Sequence, residues 1–280
     1  MGQARRRLER MAAQQPWCVY CGCSALGTSV DHMPPITIFN NRDRPKGMEY
    51  LACEACHAGS RPLDLLVGFL SRMYPDAGTS QAQQEVADAL QGLRNNYPKL
   101  FDELAPSPEQ EAEALRGREI FPGTAGALAI GPGIHSYLAR FAARVGLALH
   151  YELCGEVVPA AGAVLVRVLT NFSLVDGEFP SDFAEMLGAP RTLRQGRKTV
   201  EEQFGYASRG LEDNSLSAHI ATFRMSFAIQ AFVARDRNDL SPPAELGDNV
   251  DTTNRLFRPG FLTEHVSTWT RIDDARFGSK

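Results

Sequence analysis

Several features that would assign a functional class quickly are missing from this chain of 280 residues. It has no run of eighteen apolar residues, so we expect no transmembrane helix and no membrane partner. Its N-terminal segment lacks the apolar stretch of a secretory signal, so we expect a cytoplasmic protein. A formal net charge of −4 argues against a protein that coats nucleic acid nonspecifically. With 44% hydrophobic residues, the chain can build a sizeable core and one or two domains.

Cysteine is scarce, but its spacing is informative. Two Cys-x-x-Cys pairs, separated by 31 residues, comprise Cys18, Cys21, Cys53 and Cys56. Two such pairs can hold one Zn²⁺ in a closed tetrahedral site, in which the metal is structural. A disulfide framework is the alternative, and the lack of a secretory signal disfavours it. Of the other two cysteines, Cys23 is a competing ligand candidate and Cys154 is interpreted as a small core residue.

Side chains suited to phosphodiester chemistry lie between and just after these pairs. Asp31 and His32 are adjacent, Pro35 follows three residues later, and His57 comes directly after the second pair. With the four cysteines, this order resembles the zinc-bearing form of the HNH endonuclease family, the ββα-metal nucleases. The resemblance covers roughly residues 14–64.

The resemblance implies an endonuclease that hydrolyses phosphodiester bonds in DNA with a divalent cation. His32 is then the general base, because a neutral imidazole can take a proton from the attacking water. Asp31 and His57 are expected to hold Mg²⁺ or Mn²⁺ against the phosphate. The candidate nucleic-acid contacts are Arg61, near the position of a family lysine, and the basic turn residues Arg42, Arg44 and Lys46.

One departure from the family pattern supports an alternative function. Met48 stands where the family usually has an asparagine that braces the loop aiming the general base, and a thioether cannot donate an amide's hydrogen bonds. Read singly, His57 could be a spare zinc ligand, and Asp31 with His32 could form only a turn or a bridge. The alternative is therefore a zinc-stabilised nucleic-acid-binding or protein-binding module with weak or lost catalysis.

Charge is uneven along the chain. Residues 1–61 contain eight Lys or Arg and five Asp or Glu, a balance of +3, which leaves −7 for the remainder. Four thiolates and one Zn²⁺ together carry a charge of −2, which lowers the net charge of this segment with zinc bound to about +1. Residues 1–11 are predicted to form a short basic helix, which is either a phosphate-contacting arm or a solvated, frayed terminus. Any attraction for DNA should be local and sensitive to salt.

The periodicity predicts an α+β protein with three parts. Residues 1–76 form a ββα zinc module, with strands near 28–30 and 48–51 and a helix from Cys53 that Pro62 breaks or restarts. Residues 77–120 form connecting helices, and a linker follows at 121–133. Residues 134–280 form a C-terminal α+β domain of unknown role with an antiparallel or mixed sheet.

Within the C-terminal part, the clearest helix runs from Ile134 to Leu153, and a buried strand follows at 163–169. Further strands are predicted at 203–208 and 219–234, the latter as one bent strand or two. The only basic cluster of this half lies at 191–198, where four positive charges occur without an acid. It either contacts a nucleic-acid backbone or a nucleotide-like anion, or is a solvated loop.

Overall fold

The computed structural model describes residues 2–73, 79–109, 131–170, 181–240 and 254–263. The helices are α1 (Gln3–Gln14), α2 (Glu54–Leu70), α3 (Ser80–Asn96), α4 (Pro98–Asp102), α5 (Pro132–Cys154) and α6 (Ser181–Met186). The strands are β1 (Ser29–His32), β2 (Glu49–Ala52), β3 (Ala163–Thr170), β4 (Arg194–Gln195), β5 (Lys198–Thr199), β6 (Gly205–Gly210), β7 (Leu216–Phe223), β8 (Phe227–Ala234) and β9 (Asn254–Phe257). Helices and antiparallel sheets together confirm the α+β class.

The N-terminal part has the predicted order of two strands and a helix. β1 pairs antiparallel with β2, and Asp31 lies opposite Tyr50 in the register. Helix α2 begins two residues after β2, because Cys53 adopts an extended conformation and its sulfur accepts a hydrogen bond from the Cys56 amide. The loop between the strands contains two short 3₁₀ turns, Ile36–Ile38 and Asn40–Arg42.

The predicted break of α2 at Pro62 is wrong. The helix continues from Glu54 to Leu70 with Pro62 inside it. A proline in a helix interior costs about 3 kcal/mol. The buried face of α2 includes Leu63, Leu66 and Phe69, and burying side chains of this size contributes about 1.5–3 kcal/mol each. Packing of this face therefore outweighs the cost of the proline.

Helix α5 is the central element of the molecule and confirms the helix predicted at 134–153. Apolar side chains recur at three- and four-residue steps, and the whole stretch from Phe141 to His150 is buried. Gly155 ends the helix in the left-handed conformation, with φ of 71°, and its amide donates to the Tyr151 carbonyl at 2.8 Å. One side of α5 packs on the sheet, and another packs on α2.

The large sheet has five strands in the order β6-β7-β8-β3-β9, and every neighbouring pair is antiparallel. The segment predicted as one bent strand or two at 219–234 is two strands. Arg224 begins the turn between them with φ of 51°. Strand β9 pairs along β3 at the sheet edge, beyond the last strand predicted from the sequence.

The larger of the hydrophobic clusters among the described residues joins the N-terminal and C-terminal parts. It includes Leu66 of α2, Phe141 of α5 and Phe223 of β7, all of which are buried. The rings of Phe141 and Phe223 meet edge to face with centroids 5.4 Å apart. The linker predicted at 121–133 lies almost entirely outside the described residues.

Candidate metal centre

Four cysteine sulfurs converge where the first loop meets the start of α2. The Sγ atoms all lie within 4.8 Å of one another, and the four residues are buried: Cys18, Cys21, Cys53 and Cys56. A tetrahedral Zn²⁺ with Zn–S bonds of about 2.3 Å has sulfur–sulfur edges of about 3.8 Å. The cluster therefore needs only a small contraction to close around one metal ion. These residues could hold a structural metal ion such as zinc.

The first cysteine pair lies in a tight turn that aims both sulfurs inward. The Cys18 amide donates to the Ala25 carbonyl at 2.9 Å, and the Ser24 amide donates to the Cys21 carbonyl at 3.2 Å. Gly22 has φ of 63°, and a Cβ there would lie 2.8 Å from the backbone of Ala160. Only glycine fits at this position, because the turn packs directly against the loop before β3.

Hydrogen bonds among the thiols separate their acidities. The contact with Cys21 raises the pKa of Cys18 to about 12, and the same contact lowers the pKa of Cys21 to about 2. The pKa of Cys56 is raised, chiefly by its contact with Cys18. Binding a metal ion should therefore release protons, since thiolates are the ligands. Cys23 and Cys154 lie outside the cluster.

Asp31, on β1, is fully engaged by two other side chains. The Tyr20 hydroxyl donates to Oδ2 at 2.6 Å. The Arg144 guanidinium, from α5, donates to Oδ1 at 2.7 Å and to Oδ2 at 2.6 Å through Nη2, and to Oδ2 at 3.2 Å through Nε. Both carboxylate oxygens thus accept charge-assisted hydrogen bonds from one buried cation.

Arg144 is shared between two carboxylates. Its side chain is 0% exposed, and its Nη1 donates to Asp64 of α2. Burial alone would lower the pKa of Arg144, but Asp31 and Asp64 outweigh that effect and raise the pKa well above its usual value. Burial would likewise raise the pKa of Asp31, but Arg144 lowers it below its usual value. Both groups of this pair are therefore charged at neutral pH, whereas burial raises the pKa of Asp64 to about 6.

The predicted catalytic cation does not fit this arrangement. A divalent ion bound to Asp31 would lie close to the buried guanidinium of Arg144. Two such charges about 4 Å apart repel by on the order of 8 kcal/mol at an effective dielectric constant of about 20. The residues predicted to hold Mg²⁺ or Mn²⁺ thus offer a carboxylate whose charge Arg144 already neutralises.

His32, the predicted general base, lies on the other face of β1 from Asp31, because side chains alternate along a strand. Its side chain is 44% exposed, and its Nε2 lies 3.6 Å from Oε1 of Glu49, which also pairs with Arg7 of α1. Burial lowers the pKa of His32 below 6.5, and the charges of Arg44 and Arg7 lower it further. The imidazole is therefore mostly neutral at pH 7.

His57, the second predicted cation ligand, occupies the first turn of α2 and is half-buried. Its Nδ1 lies 3.3 Å from the Ser29 hydroxyl of β1. Ser29 and Asp31 share one face of the strand, so His57 lies on the Asp31 side of the hairpin and not on the His32 side. The two imidazoles therefore do not share one face of β1.

Arg44 braces the loop after His32, where Met48 lacks the amide that the family pattern expects. Its guanidinium donates to the backbone carbonyls of Met33, Pro34, Pro45, Gly47 and Met48 at distances of 2.8–3.2 Å. The Arg44 side chain is thus directed into the loop and away from solvent. The other predicted nucleic-acid contacts, Arg42, Lys46 and Arg61, are exposed.

Three residues of the site around Asp31 were not identified from the sequence: Tyr20, Asp64 and Arg144. Tyr20 lies between the first two cysteines, and Arg144 lies more than a hundred residues after Asp31, within the apolar face of α5. An arginine flanked by Ala142, Ala143 and Val145 was the only available signal, because arginine is rarely buried unless it is paired.

No family model matches this chain, and no curated protein or solved structure shows significant similarity to it. Among the helices that the structure describes, none has the length and apolar character needed to cross a bilayer. The chemical interpretation of the site therefore depends on its own geometry and on the motif resemblance.

Proposed function

We propose that this chain is a zinc-stabilised nucleic-acid-binding protein, built on an HNH-type scaffold that does not support cation-dependent cleavage. The observation that carries the proposal is the two-oxygen contact of Arg144 with Asp31. The guanidinium supplies the positive charge that a catalytic cation would bring, but it cannot act as a Lewis acid on a phosphate. In this proposal the hairpin-and-helix scaffold is kept, and Arg144 takes the place of the catalytic cation.

The zinc part of the proposal is supported by the convergence of four buried sulfurs. The hairpin of β1 and β2 is only four residues long in each strand, and such a unit has little core of its own. A structural metal contributes on the order of 10–16 kcal/mol of apparent binding free energy, which is enough to hold the hairpin against α2.

The nucleic-acid part is supported by the basic surface of the N-terminal part. The exposed cations there are Arg5, Arg6, Arg10, Arg42, Lys46 and Arg61. Exposed lysine and arginine side chains attract the phosphate backbone without reading its sequence. Because the chain as a whole carries −4, we expect binding that is modest and strongly salt-dependent.

The proposal is tested by incubating the zinc-loaded protein with supercoiled plasmid in Mg²⁺ or Mn²⁺, and by measuring its binding to a short labelled DNA duplex. We expect salt-dependent binding and no nicking above that of the His32→Ala variant. Absence of binding at low salt would contradict the proposal, as would nicking that disappears in His32→Ala.

A second candidate is the metal-dependent HNH endonuclease that hydrolyses DNA, with His32 as general base. A specific observation favours it: His32 is partly exposed, and burial, Arg44 and Arg7 lower its pKa, which keeps the imidazole ready to accept a proton. This candidate requires Asp31 to leave Arg144 before it can hold a cation with His57. Nicking that needs both Mn²⁺ and His32 would favour it over the binding protein.

A further inference from the structure

Two basic segments that are distant in sequence lie side by side in the fold. One is the turn before β2, and the other is the hairpin of β4 and β5, which carries the only basic cluster of the C-terminal part. Their cations are the exposed Arg42, Lys46, Arg194 and Arg197 and the half-buried Lys198, and we call these five residues the basic seam.

Direct contacts hold the two segments together. The Lys46 amide donates to Oε1 of Gln195 at 3.3 Å, and Lys198 forms an ion pair with Asp43. Just before the turn, the Asn40 amide donates to Oε1 of Gln203 at 2.8 Å. The seam is therefore a continuous surface contributed by both parts of the chain.

The seam retains positive charge after its internal ion pairs are counted. Lys198 is paired with Asp43, and Arg194 is paired with Glu201 at 2.6 Å. Within the described part of the chain, Arg42, Lys46 and Arg197 form no ion pair. Three exposed cations on adjoining segments are suited to contacts with backbone phosphates.

The sequence of an HNH-type module alone contains only half of this surface. The other half of the seam comes from the hairpin of β4 and β5. Each of these strands has two residues, and three of the four side chains are exposed. Such a hairpin adds little to the core, and its exposed arginines are available to a partner.

We propose that the basic seam is the surface that contacts the phosphate backbone of double-stranded DNA. This inference rests on the proposed function, and it assigns part of that function to the C-terminal hairpin. Contacts of lysine and arginine with phosphates fix the position of a protein along the backbone and carry no sequence information, so we expect no base recognition from the seam.

The test uses the zinc-loaded full chain and a short fluorescein-labelled DNA duplex, with binding followed by anisotropy at several salt concentrations. The variant combines Arg42→Ala, Lys46→Ala and Arg197→Ala. We expect its affinity to fall roughly tenfold or more and its log–log salt dependence to become shallower by about one unit per lost contact. A matched control removes three exposed arginines outside the seam, Arg209, Arg237 and Arg258, and should change both quantities much less.

The outcomes separate the seam from the proposed function. If the wild type binds and the seam variant keeps the wild-type affinity and salt dependence, the seam is overturned while DNA binding stands. If the wild type does not bind duplex DNA even at low salt, the proposed function fails, and the seam fails with it. Equal losses in the seam variant and the control would show only nonspecific loss of charge, which also overturns the seam.

A gain-of-affinity variant gives an independent check that does not depend on removing cations. Asp43→Asn with Glu201→Gln keeps side-chain size and releases Lys198 and Arg194 from their ion pairs. We expect severalfold tighter binding and a steeper salt dependence. Unchanged or weaker binding would count against the seam.

Discussion

The cysteine cluster and the Asp31 site belong to the same small hairpin-and-helix unit, but they differ in whether their ligand atoms are open to a metal ion. The cysteine cluster brings together four sulfurs whose hydrogen bonds with backbone groups are long, so its geometry is suited to a metal. The Asp31 site presents a carboxylate that Arg144 and Tyr20 already saturate. The difference teaches that a metal motif is informative only when its ligands have no competing partner elsewhere in the fold.

Removing the metal from the cysteine cluster should have the largest effect. Chelation, or Cys56→Ser, removes on the order of 10 kcal/mol, which matches or exceeds the total stability of an ordinary domain. We expect less than one zinc per chain in the variant and loss of the cooperative unfolding transition of the N-terminal part. Metal analysis and thermal unfolding followed by circular dichroism measure both.

Cys23→Ser is the matched control for that experiment. Cys23 lies in the same turn but outside the cluster. The Cys23→Ser variant should keep one zinc per chain and nearly the wild-type melting temperature. Loss of zinc in Cys23→Ser, with retention in Cys56→Ser, would show that the ligand set is assigned wrongly.

Arg144→Met should have the next largest effect. It leaves the buried Asp31 and the partly buried Asp64 without a cation, and breaking a buried ion pair from one side costs about 3–5 kcal/mol. The released carboxylates should then attract Mn²⁺, so we expect Mn²⁺ to raise the melting temperature of the variant and not that of the wild type. Denaturant unfolding with and without Mn²⁺ measures both effects.

The control for Arg144→Met is Arg140→Met, one turn earlier on α5. Arg140 donates to the Phe261 carbonyl at 3.0 Å, and losing that charged hydrogen bond should cost about 1.5–3 kcal/mol without any response to Mn²⁺. An equal response to Mn²⁺ in the wild type would break the contrast between the two regions, because it would mean that Arg144 does not exclude a cation.

The smallest effect concerns His32, on the opposite face of the same strand. Because its folded-state pKa is lowered, the neutral form contributes stability above the unfolded pKa of about 6.5, and this contribution is lost as pH falls below it. We expect an imidazole NMR titration midpoint below 6.5. Arg7→Gln should raise the midpoint because it removes a nearby cation, whereas Arg10→Gln on the same helix should not.

Sequence spacing was sufficient for the features that depend on local chemistry. The two Cys-x-x-Cys pairs predicted the cluster, and the apolar periodicity from Ile134 to Leu153 predicted α5. Such features depend on residues a few positions apart, whose geometry is fixed by the turn or helix in which they lie. The DNA partner and catalysis stay predictions.

The features that the sequence could not predict depend on contacts between distant segments. Arg144 has the spacing of a core position, and only the fold brings it to Asp31. Arg44 resembled a surface cation until its five carbonyl partners were visible. The turn at Arg224 contains no glycine or asparagine, so nothing in the pattern marked where β7 ends.

The most direct test of the account is a crystal structure of the zinc-loaded protein soaked in Mn²⁺, with anomalous data that distinguish the two metals. We expect a zinc peak among the four sulfurs and no manganese peak at Asp31, with both of its oxygens still on Arg144. A manganese ion bound by Asp31 and His57, with Arg144 turned away, would contradict the account and favour the metal-dependent nuclease as the function.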